Sequence, residues 1–480
     1  MRIAVLDAFN SVKERGLAKL LPDKPRVGVG LGTCGAGNGA HEVFQSLADA
    51  FSNRGVDARL TTVGCFGFCA REPLVSVWLP GKPLLILADV RPADADEIAE
   101  SLAYGKPPVR KVLCKIEKWD HITSQLVYGE GLADVPDWSA VPFFKGQKKI
   151  VLRNCGLINP EDIEEYIAVG GYFTFYRMLR EMTPEQVIDE VKKSKLRGRG
   201  GAGFPTGNKW EILRRQPAEP RYIICNADEG DPGAYMNRNE LESDPHSLLE
   251  GMMIGAYAMG ATEGILYVRA EYPLAVLRLK RAIEQARDYG LLGNEILGTA
   301  FRFDLTLVEG AGAFVCGEET ALIASLEGRA GRPRPRPPFP AQKGLWGKPT
   351  NINNVETWIN IPLVINRGMQ WYEARSAGFG TKLLQVSGDL PRRGLVEIPI
   401  GMSLREVLYD IGGFTPGYEV PRMVQVGGPT GGLLSPAFLD QPLDFEDLAE
   451  VGACFGSGAI QALPGDACVV AHALDCLYTC

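Results

Sequence analysis

The sequence predicts an α/β protein built from several modules, and three observations carry that prediction. Short runs rich in Val, Ile and Leu alternate with longer stretches of helical periodicity through the middle of the chain. Proline- and glycine-bearing stretches over 107–145 and 329–349 interrupt the alternation, as linkers and long loops do. The length of 480 residues suits two to four domains, and 45% apolar residues with a mean hydropathy of −0.04 belong to an ordinary globular chain.

Charge and cysteine usage narrow the function classes. A net charge of −7 and a pI near 5.5 argue against a nucleic-acid partner, which would need clustered Lys and Arg. The basic runs Lys192–Arg199 and Arg329–Arg336 are local exceptions in glycine- or proline-rich surroundings that suit a nucleotide. No secretory leader is expected, because Met1–Leu20 carries Arg2, Asp7, Lys13, Glu14 and Arg15. The apolar stretch Gly251–Val268 is interrupted by Glu263 and reads as a buried helix running into a strand, so no direct membrane insertion is expected. The expected location is cytoplasmic. Eleven cysteines then read as reduced thiols or cluster ligands.

The first module covers residues 1–106. Its core predicts strands at Arg26–Gly30 and Ala58–Val63 around a helix at His41–Arg54, whose Val43, Leu47 and Phe51 share a face. A hairpin at Val75–Leu79 and Leu84–Ala88 and a helix at Ala93–Leu102 complete it, an order that resembles a thioredoxin-like fold. Residues 107–145 are expected as a linker.

The second module covers 146–381. Asn159-Pro160 and Thr183-Pro184 each predict a helix start, with a capping residue followed by Pro at the first helical position. Strands at Tyr222–Asn226, Gly264–Arg269 and Phe303–Glu309 alternate with helices at Pro245–Ala258, Pro273–Tyr289 and Glu319–Glu327. That alternation predicts a Rossmann-like doubly wound domain. The third module, 382–440, has strands at Leu383–Ser387, Gly394–Pro399 and Arg422–Val426 and a helix at Ser403–Ile411, and looks like a small β-grasp (SLBB-like) unit. Residues 441–480 are expected to begin a C-terminal helical bundle.

Two stretches match Gly-x-Gly-x-x-Gly. Gly30–Gly35 lies between a strand and a helix, as a dinucleotide loop does, but the second strand ends in Gly64-Cys65-Phe66-Gly67-Phe68-Cys69 and not in a ribose-binding acid. Gly198–Gly203 follows a helix, so it is not a Rossmann turn, and no Ser or Thr follows Lys209, so it is not a Walker loop. Five glycines and one proline over 198–207 still predict a backbone that a ligand can approach, with free amides for phosphate and Lys209 as a point charge. The bland alternative is a glycine loop that lets two helices pack. Asn226, Asp228, Glu229 and Asp231 stand where α/β sheets bind ligands, at a strand's carboxyl end. Glu318 and Glu319 open a helix, which a helix dipole alone would explain. Asn353-Asn354 reads otherwise as a turn.

The segments LRGRGGAGFPTGNKW (196–210), NADEGDPGAYMNR (226–238), RAEYP (269–273), EGAGAFVCGEETALIASLEG (309–328) and PRPPFPAQKGLWGKPTNINNVET (335–357) together resemble the NADH- and FMN-binding 51 kDa subunit of respiratory complex I and its soluble relatives. Those relatives are the β subunits of NAD-dependent or electron-bifurcating hydrogenases and of formate dehydrogenases. The resemblance implies that FMN is bound by Gly198, Arg199, Gly200, Lys209, Asn226, Asp228, Gly317, Glu318, Asn353 and Asn354. It implies NADH contacts from Gly201, Phe204, Asp231, Glu319, Arg336 and Phe339, with the two phenylalanines flanking the adenine. Arg336 stands where many relatives have Lys, and Ile212 where some have a third aromatic. Glu318 and Glu319 would act electrostatically, since hydride passes between the two cofactors.

The implied function is an NADH:acceptor oxidoreductase subunit that exchanges electrons one at a time with iron–sulfur clusters of a multisubunit complex. Glu229-Gly-Asp231, where respiratory members often read Glu-Ser-Glu, tilts the expectation toward a soluble hydrogenase or formate dehydrogenase. The alternatives are a respiratory complex I subunit, membrane-associated through its partners, and a non-catalytic FMN-binding scaffold. Expected partners are a thioredoxin-like [2Fe–2S] subunit and a larger iron–sulfur subunit. The first module resembles those that hold a [2Fe–2S] cluster, but Cys34, Cys65 and Cys69 make an incomplete ligand set. The family's [4Fe–4S] cysteines are expected beyond Cys480.

Overall fold

The computed structural model describes residues 2–123, 125–376, 380–415 and 420–479. A first, mixed sheet contains β1 (Arg26–Gly30), β2 (Arg59–Val63), β3 (Val75–Trp78), β4 (Leu84–Leu87) and β5 (Val112–Ile116) in the order β2-β1-β3-β4-β5. Only β1 and β2 run parallel. The Ala40–Arg54 helix lays Val43, Leu47 and Phe51 on this sheet, and Gly55 in the left-handed region ends it. The fifth strand comes from residues expected as linker. Its alternation, with Cys114 and Ile116 buried, is too short to register against the flanking prolines.

The chain then forms a hairpin, β6 (Lys118–Asp120) and β7 (Gln125–Val127). The helix expected at Asn159-Pro160 begins later, at Ile163. Asn159 Oδ1 accepts from the Glu161 amide in a turn, and Asp162 provides the cap instead. Thr183 does cap Pro184–Lys193, in a capping box with Gln186. The opening segment is a helix at Leu6–Leu20 that buries Phe9, Val12 and Leu20. It crosses Ile163–Ala168 so closely that a Cβ at Gly16 would sit 2.0 Å from the Glu164 carbonyl oxygen.

The second sheet is wholly parallel. It comprises β8 (Tyr222–Ala227), β9 (Glu263–Arg269), β10 (Asp304–Gly310) and β11 (Thr350–Asn354), ordered β10-β9-β8-β11. The Pro245–Met259 helix and the first part of Val355–Ser376 cover one face through Trp358, Leu248 and Met252. The Glu319–Leu326 helix covers the other, packing Leu322 and Ile323 on Ile224, Ile265 and Ile352. Burial on both faces accounts for the near-continuous apolar runs of β8 and β9.

The third sheet holds β12 (Thr381–Gly388), β13 (Gly394–Pro399), β14 (Val424–Val426), β15 (Gly432–Leu434) and β16 (Ala459–Ala462) in the order β13-β12-β16-β14-β15. The region expected to begin a helical bundle therefore returns a strand to the middle of this sheet. Four residues between glycine-rich turns carry too little periodicity to reveal it. The Phe445–Glu450 helix precedes that strand and the Val469–Thr479 helix follows it. Glu397 fixes the sheet to the second module by accepting from the amides of Ile150, Val151 and Leu152 at 2.9, 2.9 and 3.0 Å. A buried Lys382–Glu356 ion pair at 2.5 Å ties it to the helix that starts just after β11.

Candidate functional site

The carboxyl ends of β8 and β11 are in register, with Asn353 opposite Cys225 and Asn354 opposite Asn226. They open on a cavity of about 690 Å3, within the range of roughly 300–1,000 Å3 typical of small-molecule sites. Of the residues expected to hold FMN, Gly198, Gly200, Lys209, Asn226, Gly317, Glu318, Asn353 and Asn354 line it. Of those expected at NADH, Phe204, Glu319, Arg336 and Phe339 line it, with Phe204 and Phe339 about half exposed at its lips.

Its glycine loop is closed at the neck. The Gly198 amide donates to Phe204 O and the Thr206 amide to Leu196 O, each at 2.9 Å, and Arg197 Nε donates to Gly203 O at 2.6 Å. Gly201 and Gly203 take φ of +117° and +61°, which favour glycine. They turn the outer side of the loop onto the stretch that leads into β16, where a Cβ would meet Gly456 O at 3.1 Å and the Phe445 ring at 2.6 Å respectively. Gly201 therefore faces away from the cavity wall. Behind the loop the Thr206–Arg214 helix begins with no side-chain cap; Leu196 O takes the Thr206 amide and Pro205 O the Lys209 amide, which leaves the Gly207 and Asn208 amides for an anion. Lys209, in its first turn, contacts Glu319 Oε1 and donates to Ile352 O at 2.6 Å.

The carboxylates divide their work. Glu318 caps the Glu319–Leu326 helix, accepting from the Thr320 and Ala321 amides at 2.8 and 3.0 Å. Arg336 stands 4.0 Å from Glu318 and 3.8 Å from Glu319. Asn226 donates to Gly317 O at 2.8 Å and accepts from the Asp228 amide at 3.1 Å, so it fixes the two loops that meet here. Asp228 lies beneath Gly317, outside the cavity wall. Burial pushes its carboxyl up to about 6, and its Oδ2 has no partner.

Arg199 and Asp231 also lie off the wall. The Arg199 side chain is buried, with its Nε 3.9 Å from Glu356, while its amide donates to Thr357 Oγ1 at 2.9 Å. Asp231 packs on Gly428, where a Cβ would come within 2.5 Å of its Oδ2. Sequence reasoning missed Ile352, which contributes a carbonyl, and Thr357, which steadies the loop from the helix after β11. Both fall inside the last matching segment, which was the available signal.

Cys34, Cys65 and Cys69 meet at a separate, small cavity of about 10 Å3, with Arg238 and Glu242 from the second module on its far side. The Cys65 thiol donates to Glu72 Oε1 at 2.9 Å, and burial pushes the Glu72 carboxyl up to about 7. Contact with Cys69, then burial, holds the Cys34 thiol above its ordinary value. Among the described residues no group of three or more His, Cys, Asp or Glu is arranged to hold a metal ion. Near the end of the chain Cys476 faces His472 and Gln425, and Cys468 is exposed. Cys480 lies outside the described residues.

Residues 191–363 match the family described as the Nuo51 FMN-binding domain. The chain is 53% identical over 331 residues to the NADP-reducing hydrogenase subunit HndC of Solidesulfovibrio fructosivorans, covering 68% of this chain and 67% of that one. It is 48% identical over 290 residues to the F subunit of the NADH-quinone oxidoreductase of Aquifex aeolicus (strain VF5), covering 60% and 67%. The corresponding protein of Escherichia coli (strain K12) is 44% identical over 308 residues, covering 63% and 69%. Among solved structures, an NAD+-reducing [NiFe]-hydrogenase in its H2-reduced state is similar with a TM-score of 0.53 at 27% identity, covering 95% of this chain and 74% of that one.

Proposed function

The chain belongs to the family of NADH-quinone oxidoreductase F subunits and their hydrogenase counterparts, and on that premise we propose that it is the FMN-binding, NADH-oxidising subunit of a soluble, cytoplasmic multisubunit oxidoreductase of the hydrogenase or formate dehydrogenase kind. The observation that carries this reading is the cavity at the ends of β8 and β11, where an uncapped helix start, Lys209 and a glycine loop converge. Among the described residues no helix is long and apolar enough to cross a membrane. We read the three sheets as a thioredoxin-like module, a doubly wound α/β domain and a β-grasp-like module.

The residues fit FMN. The Gly207 and Asn208 amides at the start of Thr206–Arg214 and the Lys209 ammonium are a phosphate seat, and Asp228 holds an unpartnered oxygen beneath the same floor. Gly198, Gly200 and Gly317 offer bare backbone on which a flat ring can lie. Bound FMN supplies a ring that takes hydride from a nicotinamide and passes electrons on singly. Asn226 and Asn354, each held at both ends of its amide by the protein, stiffen the wall at the ring edge, and Trp210 Nε1 fixes Asn353 by donating to its Oδ1 at 3.1 Å, so that the Asn353 NH2 group faces the ring. Phe204 and Phe339 enclose the adenine side, and Glu318 and Glu319 oppose excess negative charge there. Electrons would leave through iron–sulfur clusters on partner subunits.

The test is anaerobic reconstitution with FMN and iron, followed by titration with NADH and NADPH. Bound flavin should bleach with NADH, read by absorbance. Bound flavin that stays oxidised would overturn the catalytic reading, and a reduced-cluster signal in electron paramagnetic resonance would show that the ligand set at Cys34, Cys65 and Cys69 is complete after all.

A further inference from the structure

A second cleft, of about 320 Å3, lies between the β6–β7 hairpin, the 138–153 segment and the Val355–Ser376 helix. The flavin reading does not use it. Its lining carries four basic side chains, Lys118, Lys148, Lys149 and Arg153, against a single carboxylate, Asp120, in a chain whose net charge is −7. Such a reversal of the local field concentrates anions.

The two inner cations are the unusual part. Arg153 is 1% exposed, and its Nη1 and Nη2 go to Ile150 O and Ser247 Oγ, while Nε has no partner. Lys149 Nζ donates to Phe66 O at 2.9 Å and lies 4.5 Å from the Phe66 ring centre and 5.5 Å from that of Phe144. Among the described residues no carboxylate stands within ion-pair distance of either, and only the more distant fields of Asp244 and Glu250 on Arg153 and of Glu397 on Lys149 offset their charge. Burial lowers the Lys149 pKa, so a counter-ion would relieve it. His121 adds no charge, because burial takes its pKa down to about 4. The remaining wall is aromatic, with Trp119 and Trp138 tilted at 59° and their centroids 4.9 Å apart, and Phe144 beside them.

We propose that this cleft binds a planar aromatic anion of mononucleotide size or smaller, its ring against Trp138 and its charge answered by Lys149, Arg153 and the exposed Lys148 at the mouth. A cavity near the lower end of the range for small-molecule sites suits one ring system with one anionic group. A ring without charge would leave the basic lining with the single carboxylate Asp120 in the cleft, and a bare inorganic anion would leave the aromatic wall wet.

The FMN-loaded full chain would be titrated by calorimetry with AMP, benzoate and inorganic phosphate. AMP or benzoate should bind, with phosphate at least tenfold weaker. Stronger AMP binding identifies a nucleotide and stronger benzoate binding an aromatic carboxylate. Lys148→Glu, at an exposed position that spares folding, and Trp138→Ala should each weaken the preferred probe at least fivefold. Both variants should keep flavin bleaching by NADH unchanged, which separates this cleft from the flavin cavity. No heat from either aromatic anion, phosphate binding as well as they do, or affinity indifferent to both substitutions overturns the proposal.

Discussion

Gly30–Gly35 and Gly198–Gly203 share one glycine pattern, yet the first loop closes on a carboxylate of the protein itself and the second opens on a cavity of about 690 Å3. In the first, the Thr33 amide and hydroxyl donate to Glu242 at 2.7 and 2.5 Å, so the place a phosphate would take is filled from the second module. Packing completes the closure: a Cβ at Gly35 would stand 2.0 Å from Gly30 O. In the second, no side chain caps the helix start, and the nearby carboxylate, Glu319, meets the Lys209 ammonium in the first turn and not the amides. A glycine pattern thus says where backbone can be approached, while residues distant in sequence decide what approaches it.

The largest expected effect comes from closing the open loop. In Gly200→Val the Cβ already meets Asn354 Cβ at 3.2 Å, so the branches must enter the cavity or push Asn354 off it. Flavin affinity should fall by more than about 100-fold, roughly 3 kcal/mol, with far-ultraviolet circular dichroism unchanged. Retention of tight flavin in this variant would mean that the cavity is not where the ring lies.

The next effect lies behind the closed loop and depends on pH. Burial raises the Glu72 carboxyl from 4.5 to about 7, so between those values the native state holds a proton the unfolded chain has released. The stabilisation is full below about 4.5 and is lost as pH rises through 7, a difference on the order of 3 kcal/mol. Glu250, raised to about 7 by the same cause, slopes the profile the same way in any variant at position 72. Glu72→Gln should therefore flatten, without abolishing, the decline of denaturant stability from pH 5 to 8. A decline as steep as in the parent would show that Glu72 ionises freely, and that the thiol cavity is wetter than its 10 Å3 implies.

Glu242→Ala removes the carboxylate that fills the first loop. Two hydrogen bonds to a buried charge are lost, worth about 2 kcal/mol. Hydrogen exchange at the Thr33 amide should accelerate by about 30-fold while flavin affinity stays fixed. A flavin affinity that moved with it would join the two loops into one site and undo the contrast between them.

How much of this contrast was legible follows from distance along the chain. Thr183-Pro184 signalled its helix and the runs at Tyr222 and Gly264 their strands, because those signals are local. Glu242 reaching Thr33, and Ala459–Ala462 entering beside Thr381–Gly388, are pairings across many residues that no window of sequence contains. At the cavity, eight of ten residues expected around FMN share one wall, since they cluster at the ends of two registered strands and two loops. Arg199 and Asp228 sit one layer deeper, a difference of depth that identity alone does not encode. The cationic aromatic cleft was invisible because its aromatic wall comes from the stretch expected as linker and three of its four cations from 146–153 beyond it, a junction with no periodicity of its own.

The smallest expected effect sharpens the open loop's specificity. Ile212 lines the cavity from the helix that starts it and is 42% exposed, on the same side as Phe204 and Phe339. An aromatic ring there would add a third face against an adenine, and aromatic pairs contribute about 0.5–1.5 kcal/mol beyond burial. Ile212→Phe should therefore lower the KM for NADH about two- to tenfold and leave flavin affinity alone, because the flavin seat at Lys209 lies one helical turn earlier. The gain should vanish for a nicotinamide mononucleotide substrate, which has no adenine to stack. A KM that improved equally for both substrates would place the adenine elsewhere, and the two phenylalanines would lose their assigned role with it.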